Sequence, residues 1–361
     1  MNFGGIVGSW YEKNKRDLPW RRTSDPYLVW LSEVILQQTR VIQGIDYYNR
    51  FAEAFPDLSS LACAPEDRVL KLWQGLGYYS RARNLHKAAR ELVKTGGGKM
   101  PATYKGLLAM KGVGPYTASA VASICFGERK AVVDGNVSRV IARWSGVEDP
   151  VNGSTGKRTI EALASQLIAK CISPGTHNQA MMEFGALQCV PVSPDCKVCP
   201  LSGSCNACLT GRVEKLPVKI PRRQPADRWM YFYFITCEGE TILRRREEHG
   251  IWRSLYHFPM VEKSEEHPVE EILGQMFHQL LGELTTLAEE SLPGGLHRFS
   301  SVSEPIRHQL THLTIHARFI HTVLPSLPFA LPEKFIRIPL DELDHYPVPR
   351  LMERYMEVAK F

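Results

Sequence analysis

The chain has 361 residues and a net charge of +6, with 44% hydrophobic and 23% charged residues. That length exceeds one comfortable core, and the composition is that of a soluble globular protein, so two or more domains are expected. No apolar run is long enough to span a bilayer, and the start MNFGGIVGSWYEKNKRDLPW lacks the basic lead-in and small-residue cleavage site of a signal peptide, so a cytosolic protein is expected.

From Asp25 to about Cys208 the pattern reads as helix after helix. Asp25-Pro26 predicts a helix start, an N-cap acid followed by proline at the first helical position. Tyr27–Gln38 continues it with helical spacing. Further helical patterns cover Glu66–Leu76, Ala82–Leu92, Tyr104–Met110, Ala118–Phe126, Val137–Trp144, Thr159–Ala169 and Gln179–Gln188, with Gly and Pro in the gaps. Residues 209–226 carry three prolines and many basic residues with little apolar periodicity, which predicts a semi-rigid linker. The texture then changes. Trp229–Cys237 and Thr241–Arg244 are strand-like around a turn at Glu238-Gly239-Glu240. Val269–Leu281 reads as one helix, and Leu313, Ile315, Ala317 and Phe319 alternate as in a half-buried strand. The second part is therefore α+β. The charge follows the same division: residues 1–208 hold 25 Lys and Arg against 17 Asp and Glu, and residues 209–361 hold 19 against 21. The first part suits an approach to phosphates, although an ordinary basic protein has the same balance.

Nine cysteines in a cytosolic chain argue against disulfides. Four of them, Cys189, Cys196, Cys199 and Cys205, form C-x6-C-x2-C-x5-C. Such a loop can wrap an iron–sulfur cluster or a tetrahedral zinc. Zinc sites commonly pair two C-x2-C knuckles, and this set of four contains one, with longer outer spacings, which favours a cubane. Cys208 is left out of the set, and Cys63, Cys125, Cys171 and Cys237 read as core packing.

Met110-Lys111-Gly112-Val113-Gly114-Pro115-Tyr116-Thr117 joins two helical patterns. Gly112 and Gly114 permit a tight turn and a close backbone approach. The N–H groups exposed at the helix start by Pro115 suit a DNA phosphate. About twenty residues later stands Val132-Val133-Asp134-Gly135-Asn136-Val137. The hairpin, this segment and the cysteine loop together resemble the helix-hairpin-helix superfamily of DNA glycosylases, and within it the MutY-type adenine glycosylases. The resemblance covers nearly the whole chain.

The resemblance implies a mainly α N-terminal part and an α+β Nudix-like C-terminal domain. Residues 1–208 would form the catalytic region, with a six-helix barrel over 25–133 and a cluster domain made of 1–24 and 134–208. Residues 209–226 would be the linker, and 227–361 the domain that reads 8-oxoguanine. It further implies one [4Fe-4S] cluster on Cys189, Cys196, Cys199 and Cys205. The partner would be double-stranded DNA carrying adenine opposite 8-oxoguanine or guanine. The protein would act as a monomer at the bacterial nucleoid, away from membranes.

Glu33 lies in W-L-S-E-V-I-L-Q-Q-T, with Val29, Trp30, Leu36 and Gln37 on its helix face. An acid on such a face is driven toward its neutral form, which suits a general acid, although a glutamate at the edge of the face could reach water instead. Asp134 before a helix could simply cap it. The family resemblance makes Glu33 the acid that protonates adenine and Asp134 the group that stabilises the sugar cation, with Tyr116 and Asn136 orienting both. The related endonuclease III branch carries a lysine where this chain has Tyr116, so hydrolysis without strand cleavage is expected. A bifunctional pyrimidine glycosylase and lyase is the alternative.

The resemblance also assigns Arg16, Leu18, Trp20, Arg21 and Gln179 to the adenine pocket. It places Gln38, Thr39, Leu76 and Tyr78 beside the opposite base. Tyr78 and Tyr79 also read as core aromatics, Tyr79 more so. Leu310-Thr311-His312 stands where the family has a lesion-reading Phe-Ser-His. The acidic helix of a working Nudix hydrolase is missing from Val269–Leu281, so no pyrophosphatase activity is expected. His308, His312 and His316 recur every four residues, which on one straight strand spreads them too far apart to chelate easily.

Overall fold

The computed structural model describes residues 2–221, 224–247, 250–284, 298–327 and 331–359. Among them, no helix is long and apolar enough to cross a membrane. The chain divides into two compact units, one made of Met1–Ala64 and Asn84–Pro221, the other of Pro65–Arg83 and Arg222–Phe361. Within the expected linker, residues 222–223 lie outside the described residues.

Among the described residues twelve α-helices run in order along the first part of the chain: α1 (Phe3–Asn14), α2 (Pro26–Leu36), α3 (Val41–Ala54), α4 (Leu58–Cys63), α5 (Glu66–Trp73), α6 (Ser80–Gly96), α7 (Tyr104–Leu108), α8 (Pro115–Phe126), α9 (Gly135–Ser145), α10 (Ser154–Ala169), α11 (Pro174–Leu187) and α12 (Asn206–Leu209). The Asp25 side chain caps α2 through the N–H groups of Tyr27 and Leu28. That helix is buried nearly all round, the signature of a central helix. It ends at Leu36, short of the expected Gln38, because Gln38 takes a φ of 59°. In the first unit α1, α9, α10 and α11 enclose a core of Phe3, Val7, Tyr11, Val140, Ile141, Ile160, Met181 and Phe184, with Cys189 and Cys199 packed against it.

The short α4 and α12, and also α1 and α3, have no counterpart among the expected helical patterns. Glycines at 4, 5, 8 and 44 weaken the helical signal there. At Gly44 the reason is packing, since a Cβ would stand 2.7 Å from Leu36 Cδ2.

The second unit holds an eight-stranded sheet: β1 (Ala226–Cys237), β2 (Glu240–Arg245), β3 (Tyr256–His257), β4 (Met260–Lys263), β5 (Arg298–Val302), β6 (Ile306–Gln309), β7 (Leu313–Val323) and β8 (Phe335–Pro339). The main path is β3-β2-β1-β7-β5, with β4 on β1, β6 on β7 and β8 on β2. β1 and β7 are parallel, in register from Ala226↔Leu313 to Thr236↔Val323. β1 is buried on both faces, as a central parallel strand must be. One face meets α13 (Val269–Glu271), a π-helical turn over Ile272–Met276 and α14 (Phe277–Leu284), through Tyr231, Tyr233, Phe277 and Leu280. The single helix expected over Val269–Leu281 is thus interrupted by a π turn and runs on to Leu284. On the other face, Tyr355 of α15 (Arg350–Ala359) stacks on Phe319 at 4.1 Å. The three histidines do not share a straight strand: His308 is on β6, His316 on β7, and His312 in the turn between them.

Candidate active site

Glu33 sits on the buried α2, 6% exposed. Burial pushes its carboxyl up to about 7. The Tyr116 hydroxyl pulls it down, the charge of Asp134 pushes it up, and Arg21 pulls it down. Its Oε2 finds no hydrogen-bond partner among the described residues. Tyr116, at the start of α8, reaches Met182 Sδ at 3.4 Å, and burial followed by the charge of Glu33 drives its hydroxyl well above the ordinary phenol value. Gln37 Nε2 donates to Thr117 Oγ1 at 3.2 Å, tying α2 to α8.

Asp134 is the N-cap of α9, accepting from the Val137 N–H at 2.7 Å and from Asn136 Nδ2 at 3.0 Å. Burial outweighs these bonds and raises its pKa above the usual carboxylate value. Capping and proximity to Glu33 therefore coexist at one residue. Two groups that the sequence reading missed hold this segment. Asn178 accepts from the Val132 N–H at 3.1 Å and donates to Lys130 O and Ser123 Oγ, both at 2.8 Å. Arg139 donates to Asn136 Oδ1 at 2.9 Å, Gly185 O at 2.7 Å and Cys189 O at 2.8 Å, so one buried guanidinium links the Asp134 segment to the cysteine loop.

Arg16 and Arg21 meet on a third missed residue, Glu183 of α11. Arg16 donates from its backbone N and Nε to Oε1, both at 2.9 Å, and Arg21 contributes 3.0 and 2.8 Å bonds to the two oxygens. Burial pushes Glu183 up, but the bonds from Arg16 and Arg21 together outweigh it and bring the carboxyl down to about 2. Leu18 and Trp20 are buried, with Trp20 edge-on to Tyr48 at 5.4 Å. Gln179 accepts from the Tyr11 hydroxyl at 3.0 Å. The signal for Glu183 was an acid in the apolar run Met181-Met182-Glu183-Phe184, the same setting that marked Glu33.

In the hairpin between α7 and α8, Gly112 has a φ of 76°, and a Cβ there would stand 2.5 Å from the Cβ of Asn84. Gly114 caps α8 with open space around it. Gln38 is exposed and Thr39 half-buried in the first unit.

Cys189, Cys196, Cys199 and Cys205 line one cavity, and Cys208 lines it too. The buried Arg143 points Nη1 at Cys189 Sγ, 3.5 Å away, and binds the carbonyls of Val190, Pro191 and Leu216. Among the described residues no three His, Cys, Asp or Glu close on a point as a single metal ion requires.

In the second unit a cavity of about 680 Å³ is lined by Leu76, Tyr78, Arg83, Trp252, His308 and Leu310-Thr311-His312, among others. Tyr78 is half exposed with a φ of 47°, and its hydroxyl bonds Thr311 Oγ1. Leu310-Thr311-His312 is the tip of the β6–β7 hairpin, closed by Leu310 N–H on Leu313 O at 2.8 Å. Residues assigned to the opposite base from two distant stretches thus share one cleft. Tyr79, largely buried, lines it as well.

Residues 31–170 match the family of HhH-GPD superfamily base excision DNA repair proteins, and residues 230–358 match the NUDIX domain. The chain is 35% identical over 269 residues to an adenine DNA glycosylase of Buchnera aphidicola subsp. Acyrthosiphon pisum, covering 73% of this chain and 75% of that protein. It is 34% identical over 385 residues to the adenine DNA glycosylase of Mus musculus, covering 91% of this chain and 73% of that protein. A solved structure of a thermostable thymine-DNA glycosylase superposes with a TM-score of 0.54 at 29% identity, over 58% of this chain and 95% of that one.

Proposed function

Because the chain belongs to the adenine DNA glycosylases, hydrolases that act on N-glycosyl bonds, we propose that its substrate is adenine paired with 8-oxoguanine or guanine in duplex DNA. It is a base-excision repair enzyme that removes adenine from DNA. The observation that carries the mechanism is Glu33, buried, with its carboxyl pushed up to about 7 and within the field of Asp134.

Adenine must leave the stack to be reached. Glu33, about half of it protonated at pH 7, gives its proton to N7 and makes the base a leaving group. As the C1′–N9 bond breaks, positive charge grows on the sugar. The ionised Asp134 stabilises that charge, or holds C1′ briefly as an ester. Water then attacks C1′, and the Glu33 carboxylate takes up its proton, which restores the starting state. Tyr116 and Asn136 orient the two carboxylates. Arg16, Leu18, Trp20, Arg21 and Gln179 form the adenine pocket, and Glu183 fixes the two arginines within it. A tyrosine in place of the branch lysine leaves no amine to form a Schiff base, so the reaction ends at the abasic site.

The cysteine cavity fits one [4Fe-4S] cluster held by Cys189, Cys196, Cys199 and Cys205, in donor chemistry and in the cation facing Cys189. When bound, such a cluster supplies four iron–thiolate links that pin the loop. Residues 1–208 form the catalytic region in this reading, 209–226 the linker and 227–361 the part that reads 8-oxoguanine. The cleft carrying Leu76, Tyr78 and Leu310-Thr311-His312 supports that last role, with the Thr311 hydroxyl as a hydrogen-bonding group. Gln38, Thr39, Gly112 and Gly114 complete the DNA-facing set.

The test is a set of duplexes carrying adenine opposite 8-oxoguanine, guanine or thymine, scored for strand breaks before and after alkali. Breaks are expected opposite 8-oxoguanine and guanine, after alkali only. Equal release opposite thymine would overturn the substrate reading, and breaks before alkali the hydrolytic one.

A further inference from the structure

One wall of the second unit's cleft is a turn in an unusual backbone state. Between α5 and α6, Gly75, Gly77 and Tyr78 take φ values of 95°, 70° and 47°. Glycine enters that region freely, but tyrosine does so only at a cost. The groups that hold the turn come from its two flanking helices. Arg81, in the first turn of α6, directs its guanidinium back at the turn's carbonyls. Its Nη2 donates to Gly77 O at 3.2 Å and to Leu76 O at 3.4 Å. The guanidinium carbon stands 5.0 Å from the centre of the Trp73 ring and 5.7 Å from that of Tyr78, within reach of a cation–π attraction to both. Trp73, the last residue of α5, donates its indole N–H to the same Gly77 carbonyl at 3.0 Å. The Gly75 N–H reaches the Tyr79 hydroxyl at 3.3 Å. Arg81 is 9% exposed, and burial draws its guanidinium down to about 10. A cation this far from solvent is poorly placed to neutralise a phosphate, the ordinary use of arginine in a DNA-binding protein.

We propose that Arg81 is a positioning residue, which presets the Leu76–Tyr78 turn so that both side chains stand ready for the base opposite adenine before DNA arrives. This rests on the reading that places Leu76 and Tyr78 beside that base. Arg81 acts through the shape of the turn and touches neither the base nor the bond that breaks. A turn already fixed loses less freedom when the duplex binds, and the saving is realised in adenine release.

The experiment is a double-variant cycle on the full chain, read as single-turnover adenine release opposite 8-oxoguanine. Arg81→Met keeps an apolar stem and removes the guanidinium. It should slow release by at least about tenfold, the worth of a hydrogen bond to a charged group. In a Leu76→Ala/Tyr78→Ala background the turn has no side chains to present, and the same change should cost less than about twofold. Equal slowing in both backgrounds would overturn the inference and make Arg81 a general support of the fold. No slowing in the wild-type background would also overturn it. If Leu76→Ala/Tyr78→Ala releases adenine as fast as the wild type, the opposite-base reading fails and the inference with it. Two further measurements on Arg81→Met separate positioning from other roles. Amide exchange in the free protein should quicken by about tenfold or more at residues 75–79 and stay unchanged in β7, and an equal rise in both would overturn the inference. The salt slope of duplex binding should match that of the wild type. A slope smaller by about one would mark Arg81 as a phosphate contact and overturn the inference. If Arg81→Met does not accumulate, Arg81→Lys takes its place with the same outcomes, since a single ammonium does not meet both carbonyls and both rings.

Discussion

Two buried glutamates of the first unit end in opposite states. Glu33 on α2 is held near 7, whereas Glu183 on α11 is held near 2. Both are shielded from solvent, at 6% and 1% exposed, although Glu33 is the more deeply enclosed of the two. What separates them is the company each keeps. Two guanidiniums hydrogen-bond Glu183 and more than offset its lost hydration. Glu33 has a single hydroxyl, a like charge beyond it and one oxygen without a partner among the described residues. Burial sets the cost of charge, and partners decide whether the charge persists. One carboxyl becomes a proton donor, the other an anchor.

Glu33→Gln breaks the comparison at its reactive side. Adenine release should fall by about 10²- to 10⁴-fold, the usual worth of a general acid, while duplex binding is retained. The same change should stabilise the fold in alkali. Because the folded pKa of about 7 lies above the ordinary 4.5, ionised Glu33 costs nothing below the ordinary value and on the order of 3 kcal/mol once the pH is above both. Thermal denaturation should therefore show a gain for Glu33→Gln above about pH 8 that vanishes near pH 4. A variant that keeps turnover, or is stabilised equally at both pH values, removes Glu33 from the role.

Glu183→Gln breaks the other side. It strips the anion from two arginines, one of them a third exposed and so partly screened. A loss of about 2–3 kcal/mol in chemical denaturation is expected. The stabilisation from Glu183 is present above the ordinary carboxylate value and is lost as pH falls toward 2, so wild type and variant should converge in acid. The freed charge of Arg21 should also lower the alkaline midpoint of adenine release, since Arg21 already pulls Glu33 down. An unmoved midpoint would separate the two pockets.

The sequence reveals one of these glutamates and hides the other for a physical reason. Glu33 stands among Trp30, Leu31, Val34 and Ile35, but that pattern alone also allows a glutamate reaching water, and its role came from the family resemblance. Glu183 has the same local setting, but its meaning depends on Arg16 and Arg21, which lie more than 160 residues away. The capped helices follow the same rule. Asp25-Pro26 and Asp134 carry their start signals within one turn, whereas α3 holds a glycine, Gly44, that makes sense only beside Leu36. In the second unit the alternation of β7 was visible. The histidines were misread because a turn after Gln309 folds the run back on itself, and the cleft at Leu310-Thr311-His312 was reachable only through family resemblance.

Tyr116→Phe probes the smallest difference between the pockets, the one hydroxyl that Glu33 does possess. That hydroxyl favours the carboxylate, so its removal leaves burial less opposed and should raise the Glu33 midpoint. The expected displacement is less than about one pH unit, because one neutral hydrogen bond is worth about 1 kcal/mol. Single-turnover adenine release followed across the pH range would show the alkaline limb moving up, opposite to Glu183→Gln, with a modest loss on the plateau from poorer orientation. The opposed signs make the pair decisive. If both variants move the limb the same way, the state of Glu33 is not set by its neighbours, and the contrast with Glu183 is one of position alone.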